Sequence, residues 1–249
     1  MMEQNEIEDA AMFLLHLRTQ RDQVAGLPGE LTPKTLDDAY NIQDATHRFA
    51  GWPIGMLKVG CTSVVAQEAL GIPHPIGGRV PSDGVFESGS IVPRDFVASE
   101  PLLECEIAMR FGPGGVVDAI APAIELVNAR YRDTSKVSGA SIIADNSAGC
   151  GAIRGAAISL AEVDDLDALE IALHNDNGEI ASGTTRALVD GPQGSVDWAL
   201  AHETSRGRDV VAGTWIITGT CTGLTPTQWG TSYTADFGPL GSVNFTLGD

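Results

Sequence analysis

Basic side chains are scarce in this 249-residue chain: 15 Lys and Arg stand against 33 Asp and Glu, a formal charge of −18. Nucleic-acid binding needs clustered cations against phosphate, so that class is excluded. No apolar run approaches the roughly 18–20 residues that span a bilayer, so no membrane partner is expected. Four cysteines, Cys61, Cys105, Cys150 and Cys221, lie far apart with no CxxC pair. Neither zinc-finger spacing nor a disulfide framework follows from them. The five histidines form no HExxH pattern, no GxSxG occurs, and no GxGxxG follows a strand-like run. Zinc-protease, serine-hydrolase and dinucleotide-binding chemistries therefore lack support. The opening MMEQNEIEDAAMF has no basic stretch leading into an apolar core, so no signal peptide is expected and the reading is cytoplasmic.

Glycine and short apolar runs are abundant instead. The 29 glycines, about 12% against a usual ~7%, fit many turns between short strands. Ile7, Ala11, Leu14 and Leu15 recur at helical spacing until Gly26, Pro28 and Gly29 interrupt. A second helix is expected from near Thr35, with Asp38 three residues on, to about Phe49, where Gly51-Trp52-Pro53 breaks it. Beyond Pro53, strand-length runs cover 55–59, 102–109, 123–127, 141–144, 169–173, 214–218, 232–236 and 242–247. A hairpin is expected around Asn175-Asp176-Asn177-Gly178. Short helices are expected at 63–70, ending at Gly71, and at 195–204, with Ser195 as N-cap. The pattern predicts an α+β protein: a helical N-terminal cap over 1–52 on a β-rich body over 53–249.

Several stretches could carry chemistry. In Leu102-Leu103-Glu104-Cys105-Glu106-Ile107, a strand would put Leu103, Cys105, Ile107 and Met109 on one face and both glutamates on the other. Their Cα atoms would then lie roughly 6.5–7 Å apart, so the carboxylates could converge on one cation or form a solvated face. Glu125 is a lone acid in the apolar run Pro122-Ala-Ile-Glu-Leu-Val. It is explained either by a third ligand position for Mg²⁺ or Mn²⁺ or by an ion pair with Arg130 or another arginine. Lys58, between apolar residues ahead of Gly60, is either a desolvated acid–base lysine or one that snorkels to the surface. The small-residue stretches Asp145–Gly151 and Gly219–Gly223 follow expected strands and could let backbone N–H groups approach a ligand, or be ordinary turns.

Taken in order, AYNIQ, LKVGCTS, LECEIAMRFG, PAIELVNAR, ADNSAG, NGEIASG, AGTWIITGT and ADFGPLGSVNF resemble the fumarylacetoacetate hydrolase superfamily over nearly the whole chain. The nearest branch is that of 2-keto-4-pentenoate hydratase and 4-oxalocrotonate decarboxylase. The resemblance implies a mixed β-sheet roll with a small helical N-terminal region, and a homodimer or an assembly of dimers. It implies a Mg²⁺- or Mn²⁺-dependent lyase acting on a small 2-oxo or 2-hydroxydienoate acid, with a hydratase of aromatic catabolism as the first expectation. A 4-oxalocrotonate-type decarboxylase, an acylpyruvate C–C hydrolase and a catalytically silent scaffold are the alternatives. By motif match, Glu104, Glu106 and Glu125 fall on metal-ligand positions and Lys58 on the acid–base lysine. Asp83 falls where the family carries an acidic residue near the site, and Ser147 and Thr220 fall in loops that hold the substrate carboxylate. Departures from the pattern are Asn128 in place of an Asp, a connection from Glu106 to Glu125 about a dozen residues shorter, and Ile76–Gly78 in place of an acidic-aromatic-Gly triplet.

Overall fold

The computed structural model describes all 249 residues. Helix α1 spans Gln4–Gln20 and α2 spans Leu36–Ala50. The Thr35 hydroxyl accepts the Asp38 N–H at 3.1 Å and caps α2, and Gly51 ends it at φ +62°, a conformation that costs glycine nothing. Helix α3, Val64–Leu70, starts at the Ser63 cap and stops at Gly71, as the sequence leads one to expect.

Two local expectations need correction. Residues 141–144 are not a strand but part of helix α4, Gly139–Ala144, because the Ser138 hydroxyl accepts the Ser141 N–H at 3.2 Å. A four-residue apolar run has no period that separates strand from helix, so the cap decides. Helix α5 begins at Gly191 rather than Ser195 and runs to Ser205. Pro192 is tolerated in its first turn, and the Ser195 hydroxyl donates back to the Gly191 carbonyl at 3.4 Å from inside the helix.

Fourteen strands complete the fold: β1 Ile54–Gly60, β2 Ile76–Pro81, β3 Val85–Glu87, β4 Ser90–Val92, β5 Leu102–Phe111, β6 Val117–Val127, β7 Gly149–Arg154, β8 Ile158–Ser159, β9 Glu170–Asn175, β10 Gly178–Thr184, β11 Trp215–Ile217, β12 Thr225–Pro226, β13 Ser232–Asp236 and β14 Ser242–Leu247. One mixed sheet runs β2-β1-β11-β5-β6-β7-β3, with β12 beside β5 and β8 beside β6. The second runs β10-β9-β13-β14-β4 and contains the expected hairpin, its turn closed by Gly178 at φ +120°.

Alternation along β5 and β6 explains the layering. Leu103, Cys105, Ile107, Met109, Ile120, Ile124 and Leu126 bury one face against Leu173, Tyr233, Val243 and Phe245 of the second sheet and Phe237 in the turn between β13 and β14. Each such aliphatic side chain contributes roughly 1.5–3 kcal/mol on burial. The other face of β6 carries Ala119, Ala121 and Ala123, which cluster with Ala108, Ala152, Met56, Val80 and Ile217. Small side chains there let the sheet curl, and β2 comes back towards β7. A Cβ on Gly78 would sit 2.7 Å from the Asn146 carbonyl oxygen and 3.0 Å from Lys58 Cγ. Helices α1 and α2 pack over this roll through Leu14, Ala39, Ile42, Ile72, Ile76 and Ile142, a cluster that crosses residue 52. No helix is long and apolar enough to cross a membrane.

Candidate active site

The alanine ladder of β6 ends in Glu125, which is therefore forced into the roll. Across the antiparallel pair, Glu104 is its direct Cα partner and Glu106 faces Ala123. One carboxylate oxygen from each of Glu104, Glu106 and Glu125 lies within 4.8 Å of the others. Glu106 and Glu125 are fully buried, whereas Glu104 is partly open to solvent. Like charges placed directly opposite on a sheet repel, so nothing in strand pairing itself favours this arrangement.

Lys58 enters from β1 on the far side of the roll. Its Nζ lies 2.8 Å from Glu125 Oε1 and donates to the Ser147 carbonyl at 2.9 Å. Glycine makes the passage: a Cβ on Gly149 would stand 2.6 Å from Lys58 Cδ and 3.0 Å from Glu125 Oε1. Glu125 is thus paired with Lys58 and not with Arg130, whose guanidinium meets the carbonyl and the side-chain Oδ1 of Asn128. Glu106 Oε2 accepts the Gly219 N–H at 2.7 Å. Gly219 has φ +99°, and a Cβ there would lie 2.0 Å from Thr62 Oγ1, so glycine is required.

Three carboxylates face one ammonium. Burial, then the charge of Glu125, pushes Glu104 up to about 7. Burial followed by the charges of Glu125 and Glu104 raises Glu106 well above the carboxylate range, against the smaller pull of Lys58 and the Gly219 N–H. Burial alone would lower Lys58, but Glu125 and then Glu104 outweigh it and hold the ammonium above its ordinary value. Glu106 Oε1 and Glu125 Oε2 have no hydrogen-bond partner although both are buried. Orphaned carboxylate oxygens converging on one point are what an oxygen-loving divalent cation would satisfy, so the residues present fit Mg²⁺ or Mn²⁺.

The other expected residues are placed differently. Asp83 sits in the turn Ser82–Gly84 beyond the end of β2; it is exposed and makes no ion pair or side-chain hydrogen bond, and the strand register puts Gly78, not Asp83, opposite Lys58. Ser147 does reach the site, but through its carbonyl: its hydroxyl donates to the Gly77 carbonyl at 2.7 Å. Thr220 follows Gly219 directly, and its hydroxyl accepts the Gly223 N–H at 2.8 Å. Asn128 uses both ends of its amide, Oδ1 accepting from Ala98 N–H at 3.1 Å and Nδ2 donating to the Ser99 carbonyl at 3.2 Å. An Asp could not make the second bond.

Sequence reasoning missed the clamp behind Lys58. Asn146, Ser147 and Ala148 are three successive non-glycine residues at positive φ, 56°, 51° and 61°. Each costs roughly 1–2 kcal/mol and persists only where the surroundings over-determine it. Asn146 supplies much of that: Nδ2 donates to the Arg79 and Gly149 carbonyls at 2.7 and 3.0 Å, and Oδ1 accepts the Arg79 N–H at 2.9 Å. From α2, the Tyr40 hydroxyl accepts the Gly77 N–H, Gln43 donates to the Gly77 and Ile143 carbonyls, and His47 meets Asn146 Oδ1. Polar residues at 40, 43 and 47, one helical stripe and all buried, were the available signal. An open depression of about 300 Å³ between the β5–β6 turn and α5 is lined by Phe111, Val116, Leu160, Val196 and Leu200 and contains none of these groups.

A rolled mixed sheet with an inward carboxylate triad and a facing lysine defines a metal-binding enzyme of the expected kind, and the comparisons narrow it. No protein-family model matches the chain. It is 30% identical over 250 residues to a 4-oxalocrotonate decarboxylase of a Pseudomonas species, covering 91% of this chain and 95% of that one. It is 28% identical to the 2-oxo-hept-4-ene-1,7-dioate hydratase of Escherichia coli over 90% and 91% of the two chains. The structure of 4-oxalocrotonate decarboxylase from Pseudomonas putida G7, complexed with magnesium and adipate, superposes with a TM-score of 0.90 at 25% identity over 99% of both chains. The chain belongs to the 2-keto-4-pentenoate hydratase and 4-oxalocrotonate decarboxylase family of the fumarylacetoacetate hydrolase superfamily.

Proposed function

We propose that this chain is a divalent-metal-dependent lyase that hydrates a 2-hydroxy-2,4-dienoate in aromatic catabolism, working as a homodimer or an assembly of dimers. The observation that carries the reading is the buried triad Glu104, Glu106 and Glu125, with unpartnered oxygens, facing Lys58 across the roll. The three glutamates are the ligands for Mg²⁺ or Mn²⁺, which supplies Lewis-acid polarisation of a chelating 2-oxo or 2-hydroxy acid when bound.

The chain's own groups do the rest. An ammonium has three donors; Glu125 and the Ser147 carbonyl take two on Lys58, leaving one to move between a substrate carbon and solvent. Water then adds to the conjugated enone at C4. Thr220 has its hydroxyl proton free to donate to the substrate carboxylate. Ser147 serves by holding Lys58, its own hydroxyl being committed to Gly77. Asp83 is outside this assignment because it is exposed and away from Lys58 in the register.

Loss of dienol absorbance from 2-hydroxy-2,4-pentadienoate with Mg²⁺, abolished by EDTA, is the expected result. The similarity to 4-oxalocrotonate decarboxylase favours decarboxylation as the second reading. Release of CO₂ from 4-oxalocrotonate without dienoate hydration would select it, and neither reaction in metal-loaded protein would remove the lyase assignment.

A further inference from the structure

Behind the site, the Asn146 amide has its orientation fixed by three backbone groups. Two carbonyls, of Arg79 and Gly149, require the NH₂, and the Arg79 N–H requires the oxygen. The fourth partner, His47 Nε2 at 3.0 Å from Oδ1, must therefore donate. This sets the ring as the neutral Nε2–H tautomer with a bare Nδ1, and Nδ1 is indeed buried without a partner. A protonated ring would carry an N–H at Nδ1 with no acceptor and would stand near the cations Arg79 and Arg18. Burial and then Arg79 push the imidazole down to about 4, which agrees with the hydrogen-bond argument. The ring is further set edge-on to Trp52, centroids 6.0 Å apart.

We propose that His47 is a positioning residue for proton transfer: through its Nε2–H on Asn146 it holds the left-handed turn whose Ser147 carbonyl fixes Lys58. It touches no ligand position itself, and it acts on Lys58 across one side chain and one peptide group. The functional half of this proposal rests on reading Lys58 as the proton carrier. The structural half, a turn held by the ring, does not.

The test compares His47→Gln, whose amide keeps a donor in place of Nε2, with His47→Leu, which keeps bulk and loses the donor. The activity readout is exchange of the pyruvate methyl protons for deuterium with Mg²⁺ in D₂O, followed by NMR. Misplacing a reacting group by about 1 Å costs up to about 100-fold, so His47→Leu should lose about 10- to 100-fold in kcat. Its KM for pyruvate and its Mg²⁺ affinity should stay within about twofold of wild type, and His47→Gln should recover most of the loss. Wild-type activity in His47→Leu, or equal losses in both variants, would overturn the proposal. Two further readouts decide the structural half if His47→Leu does not fold or the wild type shows no exchange, the latter being a failure of the lyase reading. Ring ¹⁵N shifts of wild-type His47 at neutral pH should report Nε2–H with bare Nδ1, and the opposite tautomer or a cation would refute it. The Ala148 N–H, bonded to the Asp145 carbonyl at 3.0 Å, should exchange about tenfold faster in folded His47→Leu and near the wild-type rate in His47→Gln; unchanged protection in His47→Leu would refute it too.

Discussion

Two dense groups of charge lie within this molecule, and they are built on opposite terms. Asp37, Asp44 and Glu203 meet Arg79, Arg206 and Arg208 between α2, β2 and α5, three charges of each sign, with contacts of 2.7 Å from Arg79 to Asp44 and 2.6 Å from Arg208 to Glu203. Although burial alone would raise Asp44 and Glu203, Arg79 and the neighbouring arginines overcome it and leave both carboxyls below their usual range. In the roll, three carboxylates share one ammonium, and Glu104 and Glu106 are pushed up instead. Folding has completed the first group; the second, with all three carboxylates ionised, is two positive charges short. A deficit of that size, kept by buried strands that would be more stable with apolar residues, is what the proposed divalent cation would fill.

The contrast can be broken by substitution. Removing a residue that merely orients a metal ligand already costs about 10- to 100-fold in affinity, so Glu106→Gln should lower Mg²⁺ affinity by more than about 100-fold in a calorimetric titration. The same change should raise the melting temperature of the metal-free protein at neutral pH, because it removes a buried carboxyl that must otherwise take up a proton on folding. Lys58→Ala should spare metal binding and reduce turnover by about 100- to 10,000-fold, the range of a positioned acid–base group. In the balanced group the effects reverse. Asp44→Ala should leave Mg²⁺ affinity unchanged and cost about 2–4 kcal/mol in urea unfolding, less than a wholly buried pair because the Asp44 side chain is 25% exposed.

The pH dependences differ in sign as well. Glu104 stands at about 7 folded against 4.5 unfolded. The native state then binds more protons between those values, and metal-free stability falls as pH rises from 4.5 to about 7. His47 stands at about 4 folded against 6.5 unfolded; the unfolded state binds more protons there, and this contribution rises with pH over that window. Melting Glu104→Gln and His47→Gln beside wild type across pH 4–7.5 separates the two slopes. Excess Mg²⁺ should flatten the first and leave the second. The smallest effect expected is from Asn128→Asp, about 1 kcal/mol of destabilisation from the lost bond to the Ser99 carbonyl, with metal affinity within about twofold.

Much of this was legible in the residues. Alternation over 102–109 separated an apolar face from Glu104 and Glu106, and the lone acid Glu125 in an apolar run announced a buried charge. What strand pattern cannot carry is the curl of a sheet: that Lys58 on β1 crosses the roll to Glu125 on β6 depends on Gly78 and Gly149 being without Cβ atoms. Nor does it carry the left-handed turn at 146–148, which is made by partners distant in sequence, Arg79 and His47 among them. Asp83 and the hydroxyl of Ser147 were placed by motif position. The structure puts one in an exposed turn and commits the other to Gly77.

The most direct test of the central claim is calorimetric titration of oxalate, a planar mimic of a chelated 2-oxo acid enolate, into the protein with Mg²⁺ and again with EDTA. The charge deficit of the triad predicts binding that requires Mg²⁺ and disappears in Glu106→Gln. Equal binding of oxalate with EDTA, or Mg²⁺-dependent binding that survives Glu106→Gln, would contradict it.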